Sequence, residues 1–133
     1  MKRTTLFRIL TILYVGLIAW LCFSNMQSLS NVPRSIWGIE TDKLVHFAMF
    51  LPFPVLAFLC FRTDRMGMGA VVGLIVLIFA AGCLLAWSTE YVQGLLPYRT
   101  QDRVDWRADI IALAISSAVM FVISSVSHAC RKK

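Results

Sequence analysis

The sequence predicts an all-α protein, an integral membrane bundle of four transmembrane helices with both termini on the cytoplasmic side. Three observations carry that expectation. Of the 133 residues 59% are apolar, and the mean hydropathy is +0.74, whereas soluble domains average about 45–50% apolar. The apolar residues fall into four runs, each near the length that a helix needs to cross a bilayer. The basic residues behind the net charge of +6 collect at the ends of those runs, where they report topology rather than nucleic-acid binding. A chain this short cannot hide so much apolar surface inside a water-soluble fold. The expected partner is therefore the lipid bilayer, with no nucleic acid, and 1–133 reads as a single domain.

The first span covers 5–23. Lys2 and Arg3 precede it in the manner of a signal peptide. Three more spans follow, however, and no small-residue cleavage pattern stands near Ser24, so it is expected to remain as the first helix. Arg8 lies close enough to its start to snorkel back to the headgroups. The second span, 44–61, contains Pro52 and Pro54. These remove two backbone donors and predict a kink, which a membrane tolerates where neighbouring groups re-satisfy the backbone. The third span, 66–89, carries Gly69 and Gly73, a small-xxx-small pair expected to mark a close helix contact. The fourth, 108–126, reaches about 28 Å, nearly the hydrocarbon thickness. Cys22, Cys60, Cys83 and Cys130 form no CxxC pair and read as small hydrophobes rather than a disulfide or zinc framework.

Orientation follows from the charges. Lys2, Arg3, Arg8, Arg62, Arg65, Arg131, Lys132 and Lys133 fall on one side, and Arg34, Lys43, Arg99, Arg103 and Arg107 on the other. The richer side is expected to be cytoplasmic. Glu40, Asp42, Glu90, Asp102, Asp105 and Asp109 then lie outside, with only Asp64 inside. Trp20, Trp37, Trp87 and Trp106 fall near outer helix ends, where indoles favour the interface.

Three clusters on that outer side carry possible chemistry. Asp42 and His46 stand one helical turn apart, with Lys43 beside them. Glu90 and Gln93 share a face at the end of the third span. Arg99, Asp102, Asp105 and Asp109 follow at spacings of three and four, which stack the three acids on one face; that face continues to Ala112 and Ser116. Four short helices would bring these residues into one polar pocket at the interface. Ionisable groups at membrane depth are functional candidates. The span centres hold almost none, which argues against an ion path.

The same residues carry a family resemblance. Asp42-Lys43-Leu44-Val45-His46-Phe47, then Glu90-Tyr91-Val92-Gln93, then Pro97-Tyr98-Arg99-Thr100-Gln101-Asp102-Arg103-Val104-Asp105, in that order on a four-span chain, resemble the VanZ-like family. The resemblance runs from Asp42 to about Ala112. Two positions depart from the family pattern: Asp109 stands where Asn is usual, and Ala112 where Gly is usual. The resemblance implies a bacterial plasma-membrane protein of the cell envelope, in a family named for a member linked to reduced susceptibility to teicoplanin.

Several roles remain open for the cluster. A binding role would hold a surface lipid, a lipid-linked wall component or a lipoglycopeptide through Asp42, Lys43, His46, Glu90, Gln93, Arg99, Asp102, Asp105 and Asp109, with Tyr91, Tyr98 and Trp106 adding amphipathic contact area. An enzyme role on a lipid-linked phosphate or peptidoglycan precursor would use His46, Glu90 and Asp105 as acid-base groups and Arg99 as an anion clamp. A structural role would pair Arg99, Arg103 or Arg107 with Glu90, Asp105 or Asp109 to lock the helix ends. As a variant of the enzyme role, His46, Glu90, Asp102, Asp105 and Asp109 offer one nitrogen and several oxygens, a mixture that suits zinc, manganese or magnesium; the spacing matches no standard metal motif, so no metal ligand is assigned and the cofactor is left unknown.

Overall fold

The computed structural model describes residues 3–24, 35–36, 38–97 and 103–131. Helix α1 (Arg3–Phe23) is followed by a two-stranded hairpin, β1 (Ser35–Ile36) and β2 (Ile39–Glu40). The strands are antiparallel, with Ser35 opposite Glu40 and Ile36 opposite Ile39. Gly38 turns between them at φ 81°, a left-handed conformation that glycine adopts without steric cost. The rest is helical: α2 (Thr41–Phe50), α3 (Phe53–Leu59), α4 (Met68–Gln93) and α5 (Arg103–Arg131). A short 3-10 turn at Thr63–Arg65 links α3 to α4.

Taking α2 and α3 as one interrupted helix, four helices are long and apolar enough to cross a membrane. No more than a third of any of these apolar stretches is buried inside the protein, and in α1 the share is 11%. Ile12, Leu77 and Leu84 are each more than 60% exposed. This is the inverse of a soluble domain and marks a multi-pass membrane protein.

The break between α2 and α3 falls at the expected prolines. Pro52 ends one segment, and Pro54 sits in the first turn of the next, where a missing N–H is harmless. Tyr14 of α1 donates its hydroxyl to the Met49 carbonyl at 3.0 Å, just before the break. A neighbouring helix thus serves the backbone where the chain interrupts itself.

Two seams hold the bundle. On α4, Val71, Leu74, Ile75, Ile78, Gly82, Ala86, Thr89, Glu90 and Gln93 are buried. On α5 the buried set is Asp105, Asp109, Ala112, Leu113, Ser116, Ser117 and Met120. Both repeat every three or four residues, the spacing of one helix face. Helix α5 lies against α4 and α2, while α1 lies against α3. The close approach occurs at Gly82, where a Cβ would meet Leu113 Cδ2 at 2.6 Å. The expected pair, Gly69 and Gly73, has no heavy atom within 4 Å of such a Cβ. Those two glycines precede or lie off the seam that α5 packs against.

The third and fourth helices also run beyond their apolar spans of 66–89 and 108–126, to Gln93 and back to Arg103. Hydropathy drops where Glu90, Gln93, Asp105 and Asp109 enter. The helices continue because these polar side chains point into the seam.

Candidate functional site

Every polar group of the site is placed by helical phase. On α2, Asp42 and His46 are one turn apart: Asp42 is exposed in the first turn, and His46 is buried at 2% exposure. On α4, Glu90 and Gln93 occupy the last turn, both buried. On α5, Asp105 and Asp109 are one turn apart and buried at 5% and 0% exposure. The start of α2, the end of α4 and the start of α5 converge, so residues up to 67 positions apart in sequence meet at one end of the bundle. Asp109 lies six residues into α5, about 9 Å along the axis, so the site is nearer the end than the middle of the span.

The centre of the site is the imidazole of His46. Its Nδ1 stands 3.2 Å from Asp109 Oδ1 and 3.3 Å from Oδ2. An ionised carboxylate only accepts, so Nδ1–H is the donor. In a neutral ring this places the lone pair on Nε2, while a protonated ring carries N–H on both nitrogens. Nε2 faces Glu90, with Oε1 at 4.0 Å. A ring nitrogen of His46 and one carboxylate oxygen each from Asp42 and Asp105 all lie within 4.8 Å of one another. The site therefore joins a histidine oriented by one carboxylate to three further carboxylates.

Gln93 and Lys43 serve its margin. Gln93 Nε2 donates to the Cys22 carbonyl at 2.9 Å, tying the end of α1 to the end of α4. Lys43 forms an ion pair with Glu40 at the N-terminus of α2. Trp87 and Tyr91 stack on the outside of α4, ring centroids 5.6 Å apart. Trp20 and Trp106 stand at the same end of α1 and α5. This belt is what an interface would select.

Of the nine expected site residues, the structure brings His46, Glu90, Asp105 and Asp109 into one buried group, with Asp42 at its mouth and Gln93 and Lys43 at its edge. Arg99 and Asp102 lie outside the described residues, as do Trp37 and Tyr98. Arg103 and Arg107, expected as partners for the acids, occupy exposed positions. Each stands two residues from a buried acid, which on a helix of 3.6 residues per turn is close to the opposite face. Asp109 is paired with His46 instead. Residues whose part was not anticipated are Thr89, whose hydroxyl donates to the Ala86 carbonyl at 2.9 Å, Cys22 through its carbonyl, and Ser117, buried on the α5 seam. The seam spacing alone would have flagged Thr89 and Ser117.

No family model, no curated protein and no solved structure matches this chain.

Proposed function

We propose that this chain is a VanZ-like protein of the bacterial plasma membrane that recognises or modifies a surface lipid or lipid-linked cell-wall component. Its site would face outward, and its action would alter susceptibility to teicoplanin and related lipoglycopeptides. The observation that carries this reading is the convergence of His46, Glu90, Asp105 and Asp109 in one buried group at the tryptophan-belted end of an otherwise apolar bundle. Burying four ionisable groups costs stability unless they are mutually satisfied. A cluster retained at that cost, at headgroup depth, suits a ligand whose polar part sits at the interface. The distribution of Lys and Arg supports cytoplasmic termini and an outer site.

A second reading, an enzyme acting on a lipid-linked phosphate or peptidoglycan precursor, draws on one specific feature. Asp109 orients His46 so that Nε2 is left toward Glu90, the relation of an orienting acid to a general base. In that role His46 would take a proton from the attacking hydroxyl or water, and Glu90 and Asp105 would complete the acid-base set.

The test is expression in a teicoplanin-susceptible bacterium, scoring tolerance and membrane abundance for the unaltered protein and for alanine variants at His46, Glu90, Arg99 and Asp105. Tolerance lost at unchanged abundance is the expected result. Tolerance that falls only in step with abundance would make the cluster a structural lock, and no tolerance from the unaltered protein would overturn the teicoplanin role. Turnover of a lipid-linked precursor by the purified protein would separate enzyme from binder.

A further inference from the structure

We propose that a cavity at the far end of the bundle from His46 holds the phosphate of an anionic phospholipid headgroup between the guanidinium groups of Arg3 and Arg62. The cavity measures about 350 Å³, within the range of about 300–1,000 Å³ usual for ligand pockets. Arg3 and Thr4 line it from the first turn of α1, and Arg62, Thr63 and Asp64 from the turn after α3. Two cations thus border one space from separate elements. Packing sets the distance between those elements: α1 lies against α3, and Thr11 Oγ1 meets Cys60 Sγ at 3.2 Å.

The lining selects the ligand. Arginine presents its N–H groups in a planar fork that matches phosphate oxygens, and the threonine hydroxyls add donors. Arg3 rests over the Phe7 ring at 5.8 Å, a contact that steadies its side chain. Two arginines against Asp64 leave the lining with one net positive charge, which a headgroup carrying one negative charge neutralises. Arg8 and Arg65, at exposed positions nearby in the chain, draw anions toward this end. The rest of the lining is apolar, from Phe58, Leu59 and Phe61, and Phe61 is 48% exposed. A fitting molecule must therefore join phosphate to hydrocarbon and sit where a membrane-crossing helix reaches water. A phospholipid does both, and basic pockets between helices at a membrane surface bind such headgroups. Free phosphate would use the arginines and leave the apolar wall uncovered. The pocket stands on this geometry and does not depend on the role of the His46 cluster. Only the leaflet it meets follows from the orientation proposed above.

The full-length protein, delipidated in detergent at physiological salt, is titrated with dioleoylphosphatidylglycerol, with dioleoylphosphatidylcholine and with sodium phosphate, and adducts are counted by native mass spectrometry. One phosphatidylglycerol per chain is expected, bound at least about tenfold more tightly than phosphatidylcholine, whose headgroup has no net charge to set against the lining. Arg3→Gln and Arg62→Gln should each weaken it by about tenfold or more, the usual loss of a charge-assisted hydrogen bond, with the melting temperature of the lipid-free protein unchanged. Combined Arg8→Gln and Arg65→Gln substitutions remove the same charge from the same end but spare the lining, and should cost less than about threefold. Equal losses from the two pairs would mean a diffuse basic surface and overturn the pocket. Equal affinity for the two lipids would overturn the match of charge. Sodium phosphate that binds and displaces phosphatidylglycerol would make free phosphate the ligand and remove the lipid. Absence of phosphatidylglycerol binding by the folded, unaltered protein sinks the proposal outright.

Discussion

The two ends of the bundle treat charge in opposite ways. At one end His46, Glu90, Asp105 and Asp109 are all at most 5% exposed and face one another across three helices. At the other, a cavity of about 350 Å³ opens between the start of α1 and the turn after α3, and its charged lining, Arg3, Arg62 and Asp64, stays at exposed positions. There Arg3 stacks over the Phe7 ring at 5.8 Å, and past Met120 the side chains of α5 leave the core, with Phe121, Val122, Ile123 and Val126 exposed. The exposed charges keep their water and owe little to one another. The buried ones have given up water, so each depends on a specific neighbour. Substitutions should therefore be felt sharply at the first end and hardly at the second.

The largest effect is expected at Asp109. Asp109→Leu leaves the His46 ring without its acceptor in a buried site, and removing one member of such a pair costs about 3–5 kcal/mol. The His46→Leu, Asp109→Leu double variant should lose less than the sum of the two single variants, a coupling that thermal unfolding in detergent would measure as a double-mutant cycle. Additive losses would mean that the pair is not a unit and would erase the contrast between the ends.

Gly82 comes next. Gly82→Val must displace the buried Leu113 side chain, at a cost of about 1–3 kcal/mol. Gly73→Ala meets open space and should be neutral or gain up to about 1 kcal/mol from helix propensity. Equal effects at the two glycines would refute the placement of the close contact. A smaller loss is expected for Gln93→Ala, which removes the bond to the Cys22 carbonyl; about 1 kcal/mol is typical of such a bond, and cross-linking between cysteines placed at the ends of α1 and α4 should fall with it. At the opposite end, Arg62→Ala should change stability by less than about 0.5 kcal/mol. A larger change would show that the cavity's charges are as mutually dependent as the buried cluster.

Much of the architecture was legible along the chain because a lipid-facing helix writes itself locally. Four long apolar runs, the Pro52–Pro54 interruption and the tryptophans at one end each depend on nearby residues and on the solvent, so counting was enough to find them. The i, i+4 pairs Asp42–His46 and Asp105–Asp109 were also legible, since helical phase alone puts them on common faces. That these faces meet one another, that Asp109 finds His46 rather than an arginine, and that Gly82 rather than Gly73 carries the close approach were decided by tertiary structure. The physical reason is that phase fixes a side chain's direction about its own helix axis, while the rotation and height of one helix against the next follow from how Leu113, Phe53 and Gly82 pack together. Arg103 and Arg107 had the right charge to serve the acids, and the geometry of packing turned them outward and left a single histidine at the centre.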